Sequence, residues 1–154
     1  MATTSRIAIV GAGNVGATAA YALMLRGLFA EIVLIDQRAE RAAAEATDIA
    51  DANAIAQPVR IWAGDYADVA EAGILVLTAG AAPEAGEPRT TIAGKSAVIV
   101  RDCVRQAMEA GFNGTLVVAS NPADAMTQVA QATSGLLTSE IVVAVSAAML
   151  AHLY

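Results

Sequence analysis

Residues 7–36 read IAIVGAGNVGATAAYALMLRGLFAEIVLID, and this stretch decides the fold. A short apolar run is followed by three glycines spaced G-x-G-x-x-G, then by a helical pattern, then by a second apolar run that ends at Asp36. Continuous apolar runs predict strands buried on both faces, and the pattern between them predicts a helix over residues 14–26 that stops at Gly27. This order of elements is typical of a βαβ unit that holds a dinucleotide.

Each glycine of the turn has its own predicted role. Gly11 permits the tight turn, Gly13 lets the backbone approach a pyrophosphate, and Gly16 lets the helix pack against the strand. The backbone amides of Asn14 and Val15, at the start of the helix, would face the phosphates. Their direction and the helix dipole favour an anion there without any basic side chain.

Asp36 lies 20 positions beyond Gly16 and ends the second strand, where a carboxylate holds ribose hydroxyls. The glycine pattern alone is weak, because alanine- and glycine-rich chains produce it by chance. The strand before it, the helix after it and the acidic residue are three further conditions, and all are met. The alternative is an ordinary glycine turn with Asp36 as a helix cap.

Size and composition limit the classes of function. The chain has 154 residues, which fits one domain, so we predict a single dinucleotide-binding domain over residues 1–154. Its apolar runs fall far below the roughly 18 residues that cross a bilayer, no export signal is apparent, and a cytoplasmic location is expected. A net charge of −6 with a single lysine opposes binding to nucleic acid or to a membrane. No metal site is predicted, and the single cysteine, Cys103, is expected to fill a small apolar position.

Apolar and helical segments alternate along the whole chain. Strands are predicted at residues 7–10, 32–35, 59–62, 74–77, 116–119 and 141–145, and helices at 14–26, 40–54, 90–109 and 124–133, the last capped by Asp124. This alternation predicts an α/β fold, a Rossmann doubly wound six-stranded parallel sheet in the order 3-2-1-4-5-6 with helices on both faces. The loops at Gly11, Asp36, Thr78 and Ser120 should therefore converge at the carboxyl edge of the sheet.

Four further motifs extend this prediction: GDYAD at 64–68, TAGA at 78–81, GEPR at 86–89 and SNPAD at 120–124. Together with GAGNVG at 11–16, in this order and spacing, they make the chain resemble the L-lactate and malate dehydrogenase family. The resemblance is closer to the lactate branch and covers the family's N-terminal NAD-binding domain. It implies an NAD(H)-binding domain from an oxidoreductase, with the substrate and catalytic domain of the family absent.

The resemblance also implies which residues hold the cofactor. The implied set is Gly11, Gly13, Asn14, Val15, Gly16, Asp36, Arg41, Tyr66, Thr78, Ala79, Gly80 and Asn121. A carboxylate at Asp36 would select NAD over NADP, because it repels a 2′-phosphate. Arg38 and Arg41 could both lie along the adenosine phosphate, although Arg38 is expected to be a solvated residue at a helix start. Tyr66 would line an adenine pocket or pack as an aromatic residue before a turn.

Two residues match catalytic positions of that family, and we predict them as vestigial ones. Arg89 matches an arginine that polarises the substrate carbonyl as hydride arrives; the alternative is an exposed arginine at a helix start. Asn121 matches an asparagine that contacts substrate and nicotinamide. The alternative is a turn residue before Pro122, with a cis peptide bond.

The chain departs from the family at the positions that choose and process the substrate. Pro83 stands where the family has glutamine or arginine, so neither lactate nor malate is specified. The family's aspartate and its carboxylate-binding arginine fall on Met149 and His152, and its catalytic histidine falls beyond Tyr154. We therefore expect no substantial dehydrogenase activity from this chain alone. The alternatives are a 2-hydroxyacid dehydrogenase that needs a partner domain, and a folded scaffold with little or no binding.

The predicted helix over residues 40–54 carries more small apolar residues than one face needs. In the resembled family this helix meets a second subunit, so a homo-oligomer is expected. The alternative is a helix that is merely buried on the sheet.

Overall fold

The computed structural model describes residues 5–56, 58–82 and 84–143. Its six strands are β1 (Arg6–Val10), β2 (Glu31–Ile35), β3 (Arg60–Ala63), β4 (Ile74–Leu77), β5 (Thr115–Val118) and β6 (Ile141–Val143). All neighbouring pairs are parallel, and the strands form one sheet in the order β3-β2-β1-β4-β5-β6. The predicted fold class and strand order are confirmed.

The helices are α1 (Asn14–Arg26), α2 (Ala39–Ala52), α3 (Tyr66–Val69), α4 (Arg89–Glu109) and α5 (Ala123–Ser134). Two 3₁₀ turns, Asn53–Ile55 and Thr138–Glu140, complete the described elements. The predicted bounds of α1 agree at both ends, since Gly13 precedes the helix in extended backbone and Gly27 ends it in the left-handed region.

Several predicted boundaries are wrong by a short margin. The helix predicted to reach residue 54 ends at Ala52 and tightens into the first 3₁₀ turn, a common way to finish a helix. β3 begins one residue later than predicted and β5 one residue earlier. β6 is described only to Val143, and the last two residues predicted for it lie outside the described part of the chain.

The prediction that Asp124 caps α5 is wrong. The helix begins at Ala123, after the extended backbone of Pro122, and Asp124 lies inside the first turn. A negative charge there still stabilises the helix, because the dipole is positive at the amino end.

The short helix α3 is absent from the predictions, although the sequence contains its signal. The Asp65 carboxylate accepts a hydrogen bond from the Ala67 amide at 2.8 Å, and the Asp68 carboxylate accepts one from the Asp65 amide at 3.2 Å. This reciprocal arrangement is a capping box, built here from two aspartates spaced three apart.

The sheet is covered on both faces, as the continuous apolar runs predict. On one face Ile9 and Leu34 pack with residues of α1 and α2, including the fully buried Met24. On the other face Val33 packs with residues of α4 and α5, including Val100. Period-two alternation along each strand therefore divides the core into two layers, and each layer is buried by its own pair of helices.

A charged cluster joins the amino ends of the first three strands. The Arg6 guanidinium lies 2.7 Å from the Glu31 carboxylate, and Arg60 reaches the same carboxylate at 3.2 Å. Both guanidinium groups lie over the ring of Trp62, at 5.2 and 4.4 Å from its centroid. The hydrogen bond from Arg6 lowers the pKa of Glu31. This cluster stabilises the edge of the sheet opposite the predicted ligand site.

Candidate functional site

The turn after β1 requires glycine at position 11. Gly11 has φ of +102°, and its amide donates to the Ile35 carbonyl at 2.8 Å. The Thr78 hydroxyl donates to the Gly11 carbonyl at 2.8 Å. A Cβ at Gly11 would lie 2.6 Å from that hydroxyl oxygen and 2.8 Å from the Ala79 nitrogen. The turn is therefore held against the ends of both β2 and β4, with no room for a side chain.

Gly16 lets α1 approach this turn. A Cβ built at Gly16 would overlap the carbonyl oxygen of Gly11 and would lie 2.9 Å from the Thr78 hydroxyl. The structure thus shows the close contact between helix and strand turn that the sequence pattern predicts at this glycine. This contact fixes where the amino end of α1 points.

Gly13 has open space above it. Its backbone has an ordinary extended conformation, with φ of −80°. The atom nearest to a Cβ built at Gly13 is the Arg41 Nη2, at 3.9 Å. No ion pair with Arg41 is found within residues 5–56, 58–82 and 84–143. The space above Gly13, which we call the cradle, is therefore open, with the Arg41 guanidinium at its side.

The amino end of α1 points its amides at that cradle. The Ala17 amide donates to the Gly13 carbonyl at 2.9 Å and makes the first hydrogen bond of the helix turn. The amides of Asn14, Val15 and Gly16 precede it, so they are the donors that a helix leaves for a ligand or solvent. Amides, dipole and the guanidinium of Arg41 all favour an anion, so the cradle fits the diphosphate of a dinucleotide.

Asp36 joins the ends of β1 and β2. One carboxylate oxygen accepts from the Ala12 amide at 2.8 Å, and the other accepts from the Arg38 amide at 2.9 Å. The residue before α2 is Arg38, so Asp36 is not the cap of that helix. Each carboxylate oxygen can accept a second hydrogen bond, which leaves two acceptor positions for sugar hydroxyls. Arg38 is exposed, as expected for a solvated residue.

Tyr66 begins α3, and its ring packs against the core formed with α4. Burial raises the pKa of its hydroxyl, and the adjacent Cys103 adds to the shift. Burial also raises the pKa of the Cys103 thiol; the Tyr66 hydroxyl beside it opposes this shift, and the charges of Asp102 and Asp36 add to it. Cys103 is therefore a protonated packing residue, and its surroundings favour the packing interpretation of Tyr66.

Buried hydroxyl groups bring the remaining loops together. The Ser120 hydroxyl is within hydrogen-bond distance of two carbonyls after β4, at 2.6 Å from that of Ala79 and 3.2 Å from that of Leu77. The Ser96 hydroxyl, on α4, accepts from the Ala81 amide at 3.1 Å and would lie 3.4 Å from a Cβ at Gly80. Thr78 and Asp36 are also hydrogen-bonded to the glycine turn, so the loops at Gly11, Asp36, Thr78 and Ser120 converge as predicted. The sequence did not predict the role of Ser96, whose only signal is a hydroxyl residue on the apolar face of a helix.

A separate cleft of about 370 Å³ lies where α4 and α5 begin. Its lining residues are Arg89, Ile92, Ala93, Asn121, Pro122, Ala123 and Asp124. The structure therefore brings together the two residues predicted at catalytic positions. The peptide bond between Asn121 and Pro122 is cis. Pro83, Met149 and His152, which carry the predicted departures, lie outside the described residues.

Two classes of site are not observed in the described part of the chain. Within it, no group of three or more His, Cys, Asp or Glu side chains is arranged to hold a metal ion. Its helices are also too short or too polar for any of them to span a lipid bilayer.

Together these features define a doubly wound domain of the nucleotide-binding class, in which a glycine turn, a helix amino end and a strand-end carboxylate lie side by side. The NAD-binding domain of lactate/malate dehydrogenase matches residues 5–143. The chain belongs to the lactate/malate dehydrogenase family and carries its NAD-binding domain.

The relatives and solved structures agree with that assignment. The L-lactate dehydrogenase of Priestia megaterium is 40% identical over 139 residues, which are 90% of this chain and 44% of that protein. The ligand-bound minor L-lactate dehydrogenase of Enterococcus mundtii superposes with a TM-score of 0.89 at 39% identity, over 92% of this chain and 45% of that one. The Archaeoglobus fulgidus malate dehydrogenase in complex with NADH superposes with a TM-score of 0.81 at 34% identity, over 88% of this chain and 47% of that one. The chain thus spans a little under half the length of these relatives.

Proposed function

We propose that this chain binds NAD(H) with the diphosphate in the cradle above Gly13 and the adenosine ribose on Asp36. The observation that carries the proposal is the hydrogen bond between the Asp36 carboxylate and the Ala12 amide at 2.8 Å. This bond holds the Asp36 carboxylate against the glycine turn, next to the amino end of α1, where a ribose attached to the diphosphate would lie. Arg41, beside the cradle, adds a positive charge for the diphosphate.

The nicotinamide half of the cofactor would lie toward the second cleft. The backbone of Thr78, Ala79 and Gly80 borders that route, and the hydrogen bonds from Thr78 and Ser120 hold it in place. Asn121 then offers an amide donor and acceptor, and Arg89 lies on the same cleft as a positive charge for a substrate carbonyl or carboxylate. In this assignment the two catalytic positions are present, and Tyr66 contributes at most one wall of the adenine site.

We further propose that this NAD-binding domain does not by itself turn over a 2-oxo acid. Hydride transfer to a carbonyl requires a proton donor near pH 7, and histidine is the usual one. The only histidine of the chain, His152, is at a position where the resembled family has a substrate-binding arginine. The second candidate function, a 2-hydroxyacid dehydrogenase completed by a partner domain, is favoured by the shared cleft of Arg89 and Asn121.

Calorimetric titration with NADH and with ADP-ribose tests the binding proposal. We expect both to bind, and we expect Asp36→Ala to weaken NADH about 10- to 100-fold, as loss of hydrogen bonds to a charged group does. The same variant should also reduce the preference for NADH over NADPH, because the group that repels a 2′-phosphate is gone. Asp48→Ala, which removes an exposed carboxylate of α2, is the matched control and should leave both affinities unchanged.

Two results would contradict the proposal. Absence of NADH binding by the folded chain would favour the scaffold alternative. Oxidation of NADH on addition of pyruvate or oxaloacetate to the purified chain, followed by absorbance, would contradict the expectation that it is inactive alone.

We also propose that the chain forms a homo-oligomer through α2. Its proposed location is the cytoplasm. One face of α2 is buried on the sheet by Ala42, Ala46 and Ile49, which accounts for only part of its small residues. Ala43 and Ala50 remain exposed. A groove of about 330 Å³ also runs between α1 and α2. Light scattering at micromolar concentration is expected to give a mass above that of one chain, and a monomer mass would contradict the proposal.

A further inference from the structure

Both arms of the loop between β4 and α4 are fastened to the same turn of α4. The arm that leaves β4 is held by Ser96, whose hydroxyl accepts from the Ala81 amide at 3.1 Å. The arm that enters α4 is held by the preceding residue, Lys95, whose ammonium lies 2.5 Å from the Glu87 carboxylate. A second carboxylate, Glu84, is 4.0 Å from the same ammonium. Adjacent residues of one helix thus hold the two arms separately.

Glu87 is unusually covered for a charged residue in a loop. Its side chain is 11% exposed, whereas the side chain of Glu84 is 79% exposed. One of its carboxylate oxygens is buried and has no hydrogen-bond partner within the described residues. Lys95 is therefore the cation that compensates this carboxylate, and it is the only lysine of the chain. Because a covered carboxylate is less favourable without a nearby cation, Lys95 favours the observed position of Glu87.

The backbone transmits this attachment to the cleft. The Glu87 amide donates to the Glu84 carbonyl at 3.1 Å, closing a turn in which Gly86 has φ of +80°. Pro88 follows, and α4 begins at Arg89. Because only Pro88 separates the two residues, the position of Glu87 determines where Arg89 starts the helix and enters the cleft.

We infer that Lys95 is a positioning residue for Arg89. It holds the arm formed by residues 84–88 through Glu87, with Glu84 as a weaker second contact, and so sets the position of Arg89 on the cleft. The significance of Arg89 rests on the proposed function. The attachment itself is a property of the ligand-free chain and is tested without any nucleotide.

Amide hydrogen exchange measured by NMR on the whole chain tests the attachment. Lys95→Met keeps the apolar stem and removes the charge, and we expect it to raise the exchange rate of the Glu87 amide about threefold, as loss of a partly exposed ion pair allows. Lys95→Arg should restore the wild-type rate. Ser96→Ala is the matched control, because it should raise exchange at the Ala81 amide and leave that of Glu87 unchanged.

Two further measurements separate positioning from general stability. The side-chain Nε–H of Arg89 should become more mobile in Lys95→Met and return to the wild-type order parameter in Lys95→Arg, while the thermal midpoint stays the same. The double variant Glu87→Gln, Lys95→Met should raise the exchange rate of the backbone amide at position 87 no more than either single change does. Unchanged exchange at Glu87 in Lys95→Met, or effects of the two changes that simply add, would overturn the inference and would leave the NADH titrations unaffected.

Discussion

Replacing Gly13 with valine is expected to weaken NADH binding about 100-fold while the protein stays folded. The side chain would occupy the cradle above the amino end of α1 and keep the diphosphate from the amides of Asn14 and Val15. Hydrogen bonds to a charged group contribute about 1.5–3 kcal/mol each, so the loss of one or two accounts for this factor. Calorimetric titration with NADH measures the change.

The fold should tolerate that substitution. Gly13 has φ of −80°, an angle that any residue adopts, and a Cβ there would approach only the mobile end of Arg41, at 3.9 Å. Valine is a poorer residue than glycine at the start of a helix, yet it also restricts the unfolded chain, so the free energy of unfolding should change by no more than about 1 kcal/mol. Gly13→Ala provides a graded control with an intermediate loss of affinity. A folded valine variant with wild-type affinity would show that the diphosphate does not lie in the cradle.

Replacing Gly16 with alanine is expected to lower the free energy of unfolding by about 3 kcal/mol or more. Alanine in place of glycine inside a helix normally stabilises it by about 1 kcal/mol, so the expected sign is reversed here. The reason is that the added Cβ overlaps the Gly11 carbonyl, a backbone atom of a turn that Thr78 and Ile35 also hold. Overpacking against backbone forces the helix away from the sheet.

Urea unfolding followed by circular dichroism measures this effect, and Gly94 provides the control. Gly94 also lies within a helix, α4, but a Cβ built there meets no atom within 4 Å. Gly94→Ala should therefore stabilise the protein by about 0.5–1 kcal/mol. If Gly16→Ala were as stable as the wild type, α1 would not be packed against the turn as tightly as the structure shows.

The parts of the fold that the sequence predicted share one physical basis. The sheet type follows from apolar runs that are too short for helices and too continuous for a half-exposed sheet, as at β1 and β2. The strand order follows from the alternation of these runs with helical segments. The bounds of α1 follow from Gly13 and Gly27, whose effects on the backbone are local. Where such a signal was weaker, as in the two-aspartate capping box of α3, the element escaped prediction although the residues that form it are adjacent.

The candidate site also has parts that the sequence predicted and parts that it did not. The positions of Asp36 and the glycine turn in the fold could be predicted from spacing, because the carboxyl ends of parallel strands lie at one edge of the sheet. The side-chain environment of Tyr66 could not, since it depends on how α3 meets Cys103 on a helix far along the chain. Asp124 was assigned to the wrong position of its helix because a proline just before a helix allows more than one start.

By itself, the sequence determined the class of fold, the strand order, the glycine turn and the acidic residue beside it, because turn and strand preferences are local and because the alternation of strands with helices restricts the order of a parallel sheet. Only the tertiary structure decided that Arg41 borders the cradle above Gly13, that Arg89 and Asn121 share one cleft, and that Lys95 holds Glu87. Those contacts join residues on different helices and loops, and their distances are set by how the helices pack on the sheet, which no spacing along the chain encodes.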